Sequence, residues 1–478
     1  MSTLSKHYKE FDYANPIFTQ HYGADPYAMV YDGRVYFYMT ADKYEYDKNG
    51  EIAENTYSRI KSLYVVSTDD MANFTDHGEI TVACDAAAKW AANSWAPAAT
   101  WKNIDGKDKF FLYFADNGGG IGVLSADSPI GPFTDPIGHG LITRSVPTCD
   151  KVAWLFDPAV LMDDDGKAYI YFGGGIPYPD GDVSNPGTAR VCKLGDDMVS
   201  LDGDPIVIPD VHFLFEDSGI HKFNNKYYYT YCSNFNVTEE ATQKYGIRNG
   251  EICMMESDSP MGPFVFKEKI LENPEVKFRL GGNNHHCVFN FKDQWYITYH
   301  ARSLEGLMGI EHGYRVTHID SFNPSKDGSI GVITQGYKGR KQVKFVNPFE
   351  KFDAACVAQM AGVTPVAADD VSKKFGCGNM AVKVNCDGDF TQVQGVEFTK
   401  SPSSVTVTVK NPQGVEGKLS VCVKTPLNTP IATIDIAGKS ESFNTITASV
   451  SGSVSGVNDL FFVFEKGVGI EFLDWKFD

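Results

Sequence analysis

Asp25, Trp95, Asp157, Glu216 and His285 each open a copy of one short pattern: an apolar strand, a turn of Gly, Asn or Asp, then an aromatic-rich strand. The copies read DPYAMVYDGRVYFYMTAD, WAPAATWKNIDGKDKFFLYFAD, DPAVLMDDDGKAYIYFGGG, EDSGIHKFNNKYYYTYCSNF and HHCVFNFKDQWYITYHAR. Three of the five opening residues are carboxylates, one is an imidazole and one an indole, where a repeat kept only for packing would place small or apolar side chains. Carboxylates set across a channel suit hydrolysis of a glycosidic bond. One takes a proton from water, one gives a proton to the leaving oxygen, and a third keeps the acid protonated by its negative charge. An inverting enzyme spaces base and acid about 6.5–9.5 Å apart to admit the water. Side chains from different sheets around a ring can span that distance, whereas neighbours on one helix cannot.

The elements that would hold these residues follow from the spacing. Starts recur about every 60–70 residues, the length of four strands with their turns, which is one propeller blade. Asp-Gly and Asn-Asn between alternating aromatic runs signal hairpins. Two second halves, DSPIGPFTD (127–135) and DSPMGPFVF (258–266), are near copies. The expectation is an all-β chain: a five-bladed β-propeller over residues 1–345, closed without a free sheet edge. Near Val346 the repeat ends. SVTVTVK (404–410), KLSVCVK (418–424) and the closing IEFLDWKFD have the alternation and short turn spacing of a β-sandwich (jelly roll) over 346–478.

Composition narrows the partners. A formal charge of −18 disfavours nucleic acid and anionic membranes, both of which need basic surfaces. The first residues form no apolar signal core and no 18-residue apolar run occurs, so a cytoplasmic location is expected. Ten scattered cysteines without a Cys-x-x-Cys pair read as small core residues. NGGGIGV (117–123) lacks the Lys-Ser/Thr of a phosphate loop and reads as a blade hairpin.

These motifs resemble glycoside hydrolase family 43, whose fold is a five-bladed propeller. The resemblance runs over about residues 12–345 and rests on ADPYAMVYDGRVYFY, FDPAVLMDDDGKAYIYFGGG and FEDSGIHKFNNKYYYTY. It implies Asp25 as general base, Asp157 as modulator of the acid's pKa, and Glu216 as general acid. NNHHCVFNFKDQWYITYHAR resembles the segment carrying the family's central histidine, which implies His285 beside a channel calcium or its waters. With no carboxylate close to His285 in sequence, such an ion would be mostly water-coordinated, and calcium suits that shell. The resemblance also implies Arg302 at the sugar-binding end and Trp95 and Phe156 as the apolar wall.

The tail resembles a family 6 carbohydrate-binding module through DGDFTQVQGVEF, LFFVFE and IEFLDWKFD. It departs at FDAAC, where Ala355 replaces the second Glu of the usual Glu-Ala-Glu, so packing is as consistent with this module as sugar binding. The activity implied is an inverting α-L-arabinofuranosidase removing side chains from arabinoxylan-derived oligosaccharides. β-Xylosidase is the alternative, and a non-catalytic sugar-binding propeller is the reading from another class.

Overall fold

The structure is a computed structural model describing residues 4–84 and 86–478. The all-β expectation holds: antiparallel sheets dominate and, among the described residues, only four helices occur, none longer than seven residues. No described helix is long and apolar enough to cross a membrane. The chain clusters into two compact units, one of Tyr22–Tyr64 and Glu79–Gly339, the other of Met1–His21, Val65–Gly78 and Arg340–Asp478.

In the larger unit the strands come in consecutive groups. Strands β1 (Tyr22–Tyr31) and β2 (Arg34–Asp42) form the first hairpin. Strands β3 (Ser62–Thr68) and β4 (Phe74–Thr81) follow, and most of both lies in the segment that clusters with the smaller unit. Strands β5 (Trp95–Ile104), β6 (Lys107–Ala115) and β7 (Ile121–Ala126) make the next sheet. Strands β8 (Ala159–Met162), β9 (Ala168–Phe172), β10 (Arg190–Lys193) and β11 (Ile206–Val207) make another. Strands β12 (Leu214–Phe223), β13 (Lys226–Ser233), β14 (Ile252–Ser257) and β15 (Val265–Leu271) pair in order. Strands β16 (His286–Phe291), β17 (Gln294–Ala301) and β18 (Val316–Phe322) close the series.

The groups are therefore not uniformly four-stranded. The near-copied segments show why. DSPMGPFVF runs into β15, whereas DSPIGPFTD supplies only the Ser125–Thr134 bridge before a run of four bend residues, 136–139.

Four first hairpins share one turn. Asp32-Gly33, Asp105-Gly106, Asn224-Asn225 and Lys292-Asp293 each have positive φ at both positions and join strands paired right up to the turn. Such a turn matches the right-handed twist of the strands it joins, so it fixes their register without splaying them. NGGGIGV (117–123) spans the turn after β6 and the first three residues of β7. Eight of the ten cysteines are buried; Cys84 is intermediate and Cys386 exposed.

The smaller unit has a six-stranded and a five-stranded sheet sharing one apolar cluster. Val405, Val407 and Val409 of one sheet and Leu419, Val421 and Phe462 of the other meet there with Trp475 and Phe477. The opposite face of the five-stranded sheet is covered by the chain's own beginning. Leu4 and Phe11 pack on Phe390, Cys422, Phe461 and Val463, and Phe11 meets the Phe461 ring at 5.1 Å. Ser5 N–H donates to Gly388 O (2.9 Å), Lys9 Nζ to Ala358 O (2.9 Å), and Gln392 Nε2 to Phe11 O (3.0 Å).

Candidate active site

A break in strand pairing positions the site. Register slips between Ala24 and Tyr27 in β1, between Trp95 and Ala98 in β5, and between Glu216 and Gly219 in β12. The first residue of each bulge, Asp25, Ala96 and Asp217, has a left-handed backbone (φ 48°, 39° and 68°), and so does Asp157 just before β8 (φ 50°). A bulge bends the strand and re-aims a side chain. The equivalent residues thus form two rows, Asp25, Ala96, Asp157 and Asp217, preceded by Ala24, Trp95, Phe156 and Glu216. The single row read from the sequence combined them: Trp95 and Glu216 stand one residue ahead of Asp25 and Asp157 in phase. Local alignment by residue type could not see this, because the bulge is defined by the partner strand.

Both rows still converge. One pocket, about 440 Å³ including its mouth, is lined by Asp25, Tyr57, Ile60, Trp95, Ala96, Phe156, Asp157, Glu216, Asn283, His285 and Arg315. Six of the seven residues singled out in the sequence are there. The seventh, Arg302, is not among the lining residues: its Nε is paired with Glu305, and its Nη1 donates to Gly281 O at 2.9 Å. The guanidinium facing the carboxylates belongs to Arg315, which precedes β18.

Asp25 is surrounded by donors. Arg315 Nη1 reaches Oδ1 at 3.0 Å and Thr40 Oγ1 donates to Oδ2 at 2.6 Å. Thr40, across the hairpin on β2, in turn accepts Ala96 N–H at 2.8 Å, which ties β1 and β2 to the next sheet. Arg315 is itself gripped by Asp42 through Nε (3.0 Å) and Nη2 (2.9 Å) and lies 4.7 Å from the Tyr57 ring. His300 Nε2 donates to Asn283 O (2.9 Å), and Nδ1 lies 3.1 Å from both the backbone N and Oδ1 of Asp25. A neutral ring accepts the N–H there and a protonated one donates to the carboxylate. Burial alone would raise the Asp25 pKa, but Arg315, then His300 and His285, outweigh it and hold the carboxyl well below the usual range.

Glu216 and Asp157 have the opposite surroundings. Burial, then the charges of Asp157, Asp25 and Asp217, push Glu216 well above the ordinary carboxylate value, with Arg315 opposing. Burial and then Asp25 push Asp157 upward too. Two such groups compete for one proton. Asp157 Oδ2 accepts Asp217 N–H at 2.9 Å, which favours its anion, whereas Glu216 Oε1 is buried and finds no hydrogen-bond partner among the described residues. The contrast in donors favours Glu216 over Asp157 as the holder of that proton.

His285 Nδ1 lies 3.6 Å from Asp25 Oδ1 and 3.8 Å from Asp157 Oδ2, and its Nε2 lies 3.2 Å from Asp217 Oδ1. Burial lowers its pKa against the opposing pull of Asp217 and Asp25. As a direct donor set for a hard cation this does not fit, which leaves only an ion held through water. Calcium takes six to eight oxygens, and among the described residues no three His, Cys, Asp or Glu side chains are grouped to hold an ion.

Beyond the wall, Phe156 meets Trp154 at 5.4 Å, Trp154 meets Phe215 at 5.2 Å, and Phe215 meets Phe235 at 5.2 Å. Trp154 and Phe235 are exposed. Arg315, Thr40, Tyr57, Asn283, His300 and Asp217 were all missed in the sequence. A buried Thr in the apolar strand YFYMTAD and an Arg opening a strand were the available signals for Thr40 and Arg315.

Residues 13–330 match the glycosyl hydrolases family 43, and residues 353–478 match the carbohydrate binding module family 6. The chain belongs to glycosyl hydrolase family 43. It is 43% identical to the arabinoxylan arabinofuranohydrolase of Paenibacillus polymyxa over 94% of this chain and 72% of that protein. It is also similar to a crystal structure of a family 43 arabinoxylan arabinofuranohydrolase from Bacillus subtilis in complex with cellotetraose. That match has a TM-score of 0.91 at 42% identity and covers 100% of this chain and 99% of the other. A β-xylosidase/α-arabinofuranosidase of the family from a compost metagenome, crystallised with xylotriose in a calcium-free form, matches with a TM-score of 0.52 at 27% identity, covering 67% and 96%.

Proposed function

We propose that this chain is an inverting α-L-arabinofuranosidase that removes arabinose side chains from arabinoxylan or its oligosaccharides. Its catalytic work falls in residues 1–345, read as a five-bladed propeller, with 346–478 as a jelly-roll module. The observation that carries the reading is one buried pocket holding a carboxylate kept ionised, Asp25, and a carboxylic acid kept protonated, Glu216.

Asp25 accepts a proton from water as the water oxygen bonds to the anomeric carbon. Glu216 gives its proton to the glycosidic oxygen as the carbon–oxygen bond breaks, and before the next turnover Asp25 releases its proton to solvent while Glu216 takes one up. Asp157 stays anionic and keeps the acid's pKa high. Trp95 and Phe156 offer flat apolar faces to the sugar. The aromatic run Trp154, Phe215 and Phe235 suits the chain from which a side group is removed, and an enclosed pocket beside an exposed ridge fits a branch better than a backbone end. A calcium ion beside His285 belongs to this reading only as one held through water, and no step passes through it.

Proton NMR of the first sugar released from arabinoxylo-oligosaccharides tests both halves. Arabinose of inverted anomeric configuration is expected. Release of xylose alone would move the substrate to the β-xylosidase alternative, and a retained anomer would overturn the mechanism.

A further inference from the structure

The acid and its modulator come from different sheets, and a buried pair connects them. Asp217 directly follows Glu216, is fully buried, and does not line the pocket. Its backbone N–H holds Asp157 Oδ2, its Oδ2 accepts from His286 Nδ1 at 2.5 Å, and its Oδ1 accepts His286 N–H at 3.2 Å. His286, 1% exposed, reaches Thr230 Oγ1 with Nε2 at 2.8 Å. Thr230 lies on β13 opposite Gly219 of β12. A side chain at Gly219 would begin 2.3 Å from Thr230 Oγ1 and 3.0 Å from His286 Nε2, so glycine makes the approach possible. Asp25 and Asp157, at the equivalent backbone position, line the pocket; Asp217 does not, and its carboxylate meets His286 and, through Oδ1 at 3.2 Å, the back of the pocket-lining His285.

We infer that Asp217 and His286 are positioning residues that fix Asp157 relative to Glu216. The link is one residue long on the acid's side and one hydrogen bond long on the modulator's. A left-handed backbone at a residue other than glycine is held only where its surroundings over-determine it, and the His286 clamp supplies that constraint. Loosening the clamp therefore displaces both carboxyls together without touching the sugar-binding wall. Outer-shell groups that orient metal ligands typically cost about 10–100-fold when removed, and a loss of that order is expected here for a group that orients catalytic carboxyls.

The inference rests on the acid role proposed for Glu216, and the test separates the two. Steady-state kinetics on arabinoxylo-oligosaccharide would be measured for Asp217→Asn, His286→Leu, His286→Asn and the milder Thr230→Val, each with its thermal melt. Asp217→Asn and His286→Leu should lower kcat about 10–100-fold with KM changed less than about twofold. His286→Asn, whose amide can stand where Nδ1 stood, should recover much of that loss, and Thr230→Val should lose less than His286→Leu. Full kcat in a folded Asp217→Asn, or equal damage in both His286 variants, overturns the inference. If Asp217→Asn or His286→Leu fails to fold, Thr230→Val and His286→Asn decide: unchanged kcat in the first with total loss in the second overturns it. Full activity of Glu216→Gln would instead sink the acid role itself.

Discussion

Around Asp25 the pocket supplies a guanidinium, a hydroxyl and an imidazole within 3.1 Å. Around Glu216 it supplies two carboxylates among the causes that raise its pKa, and no donor to Oε1. Both residues are at least nine-tenths buried, so the same desolvation acts on each. Burial therefore does not decide which of them is the base. The neighbours decide: Arg315 comes from the loop before β18, outside the repeat, whereas Thr40 and His300 sit on the second strands of hairpins within it. A pair of carboxyls in one low-dielectric site is driven apart in pKa by where the few cations and donors are placed.

Removing the ionised member should have the largest effect. Asp25→Asn should fold, because Thr40 and Arg315 can still meet an amide oxygen, and turnover should fall by about 10²–10⁴-fold or more on every substrate. A folded variant with near-normal turnover would place the base elsewhere. Glu216→Gln should lose a comparable factor on arabinoxylan fragments, whose leaving alkoxide needs a proton. On an aryl arabinofuranoside with a low-pKa phenol it should keep most of its rate, and equal losses on the two would break the contrast.

Asp157→Asn acts on the contrast without removing either partner. It takes away the largest charge that raises Glu216, so the acid's pKa falls. Since the reaction needs Glu216 protonated, the alkaline fall of the kcat/KM profile should move to lower pH. An acidic limb from Asp25 should stay below the usual carboxylate range in both forms. An unmoved alkaline limb would mean that Asp157 does not act through charge. Calcium should matter least: with no direct ligand set at His285, chelation should change activity less than about twofold and shift Tm by a few degrees at most. A full loss restored by calcium would require ligands this site does not group.

The carboxylates were legible because they recur in phase with a hairpin whose turn residues are strong local signals. Asp-Gly at 32–33 and 105–106 announced their turns; Lys292-Asp293 adopts the same turn without such a signal. The bulges were not legible. They depend on which residue of the partner strand is skipped, and so Glu216 was read as the equal of Asp25 when Asp217 occupies that position. The resemblance at Tyr-His-Ala-Arg pointed to Arg302, but Glu305 three residues on captures it. Long-range partners such as Asp42 for Arg315 leave no local trace. In the smaller unit the alternation of Val405, Val407 and Val409 foretold which face is buried, while nothing in the sequence foretold that residues 4–11 would cover the other face.

That covering has a consequence for how the protein can be taken apart. Asn73 Oδ1 accepts Gln394 N–H at 2.8 Å, Asp76 N–H donates to Ala355 O at 3.0 Å, and Cys356 pairs with Thr75 as strands. Two early stretches of chain, residues 4–21 and 65–78, thus complete a fold whose bulk lies in residues 340–478. A stop codon or domain swap near residue 345 would strand both, leaving Phe11 without the rings of Phe390 and Phe461. The tail is not an interchangeable appendage on a string: any recombination that replaces it must bring a matching N-terminal segment with it.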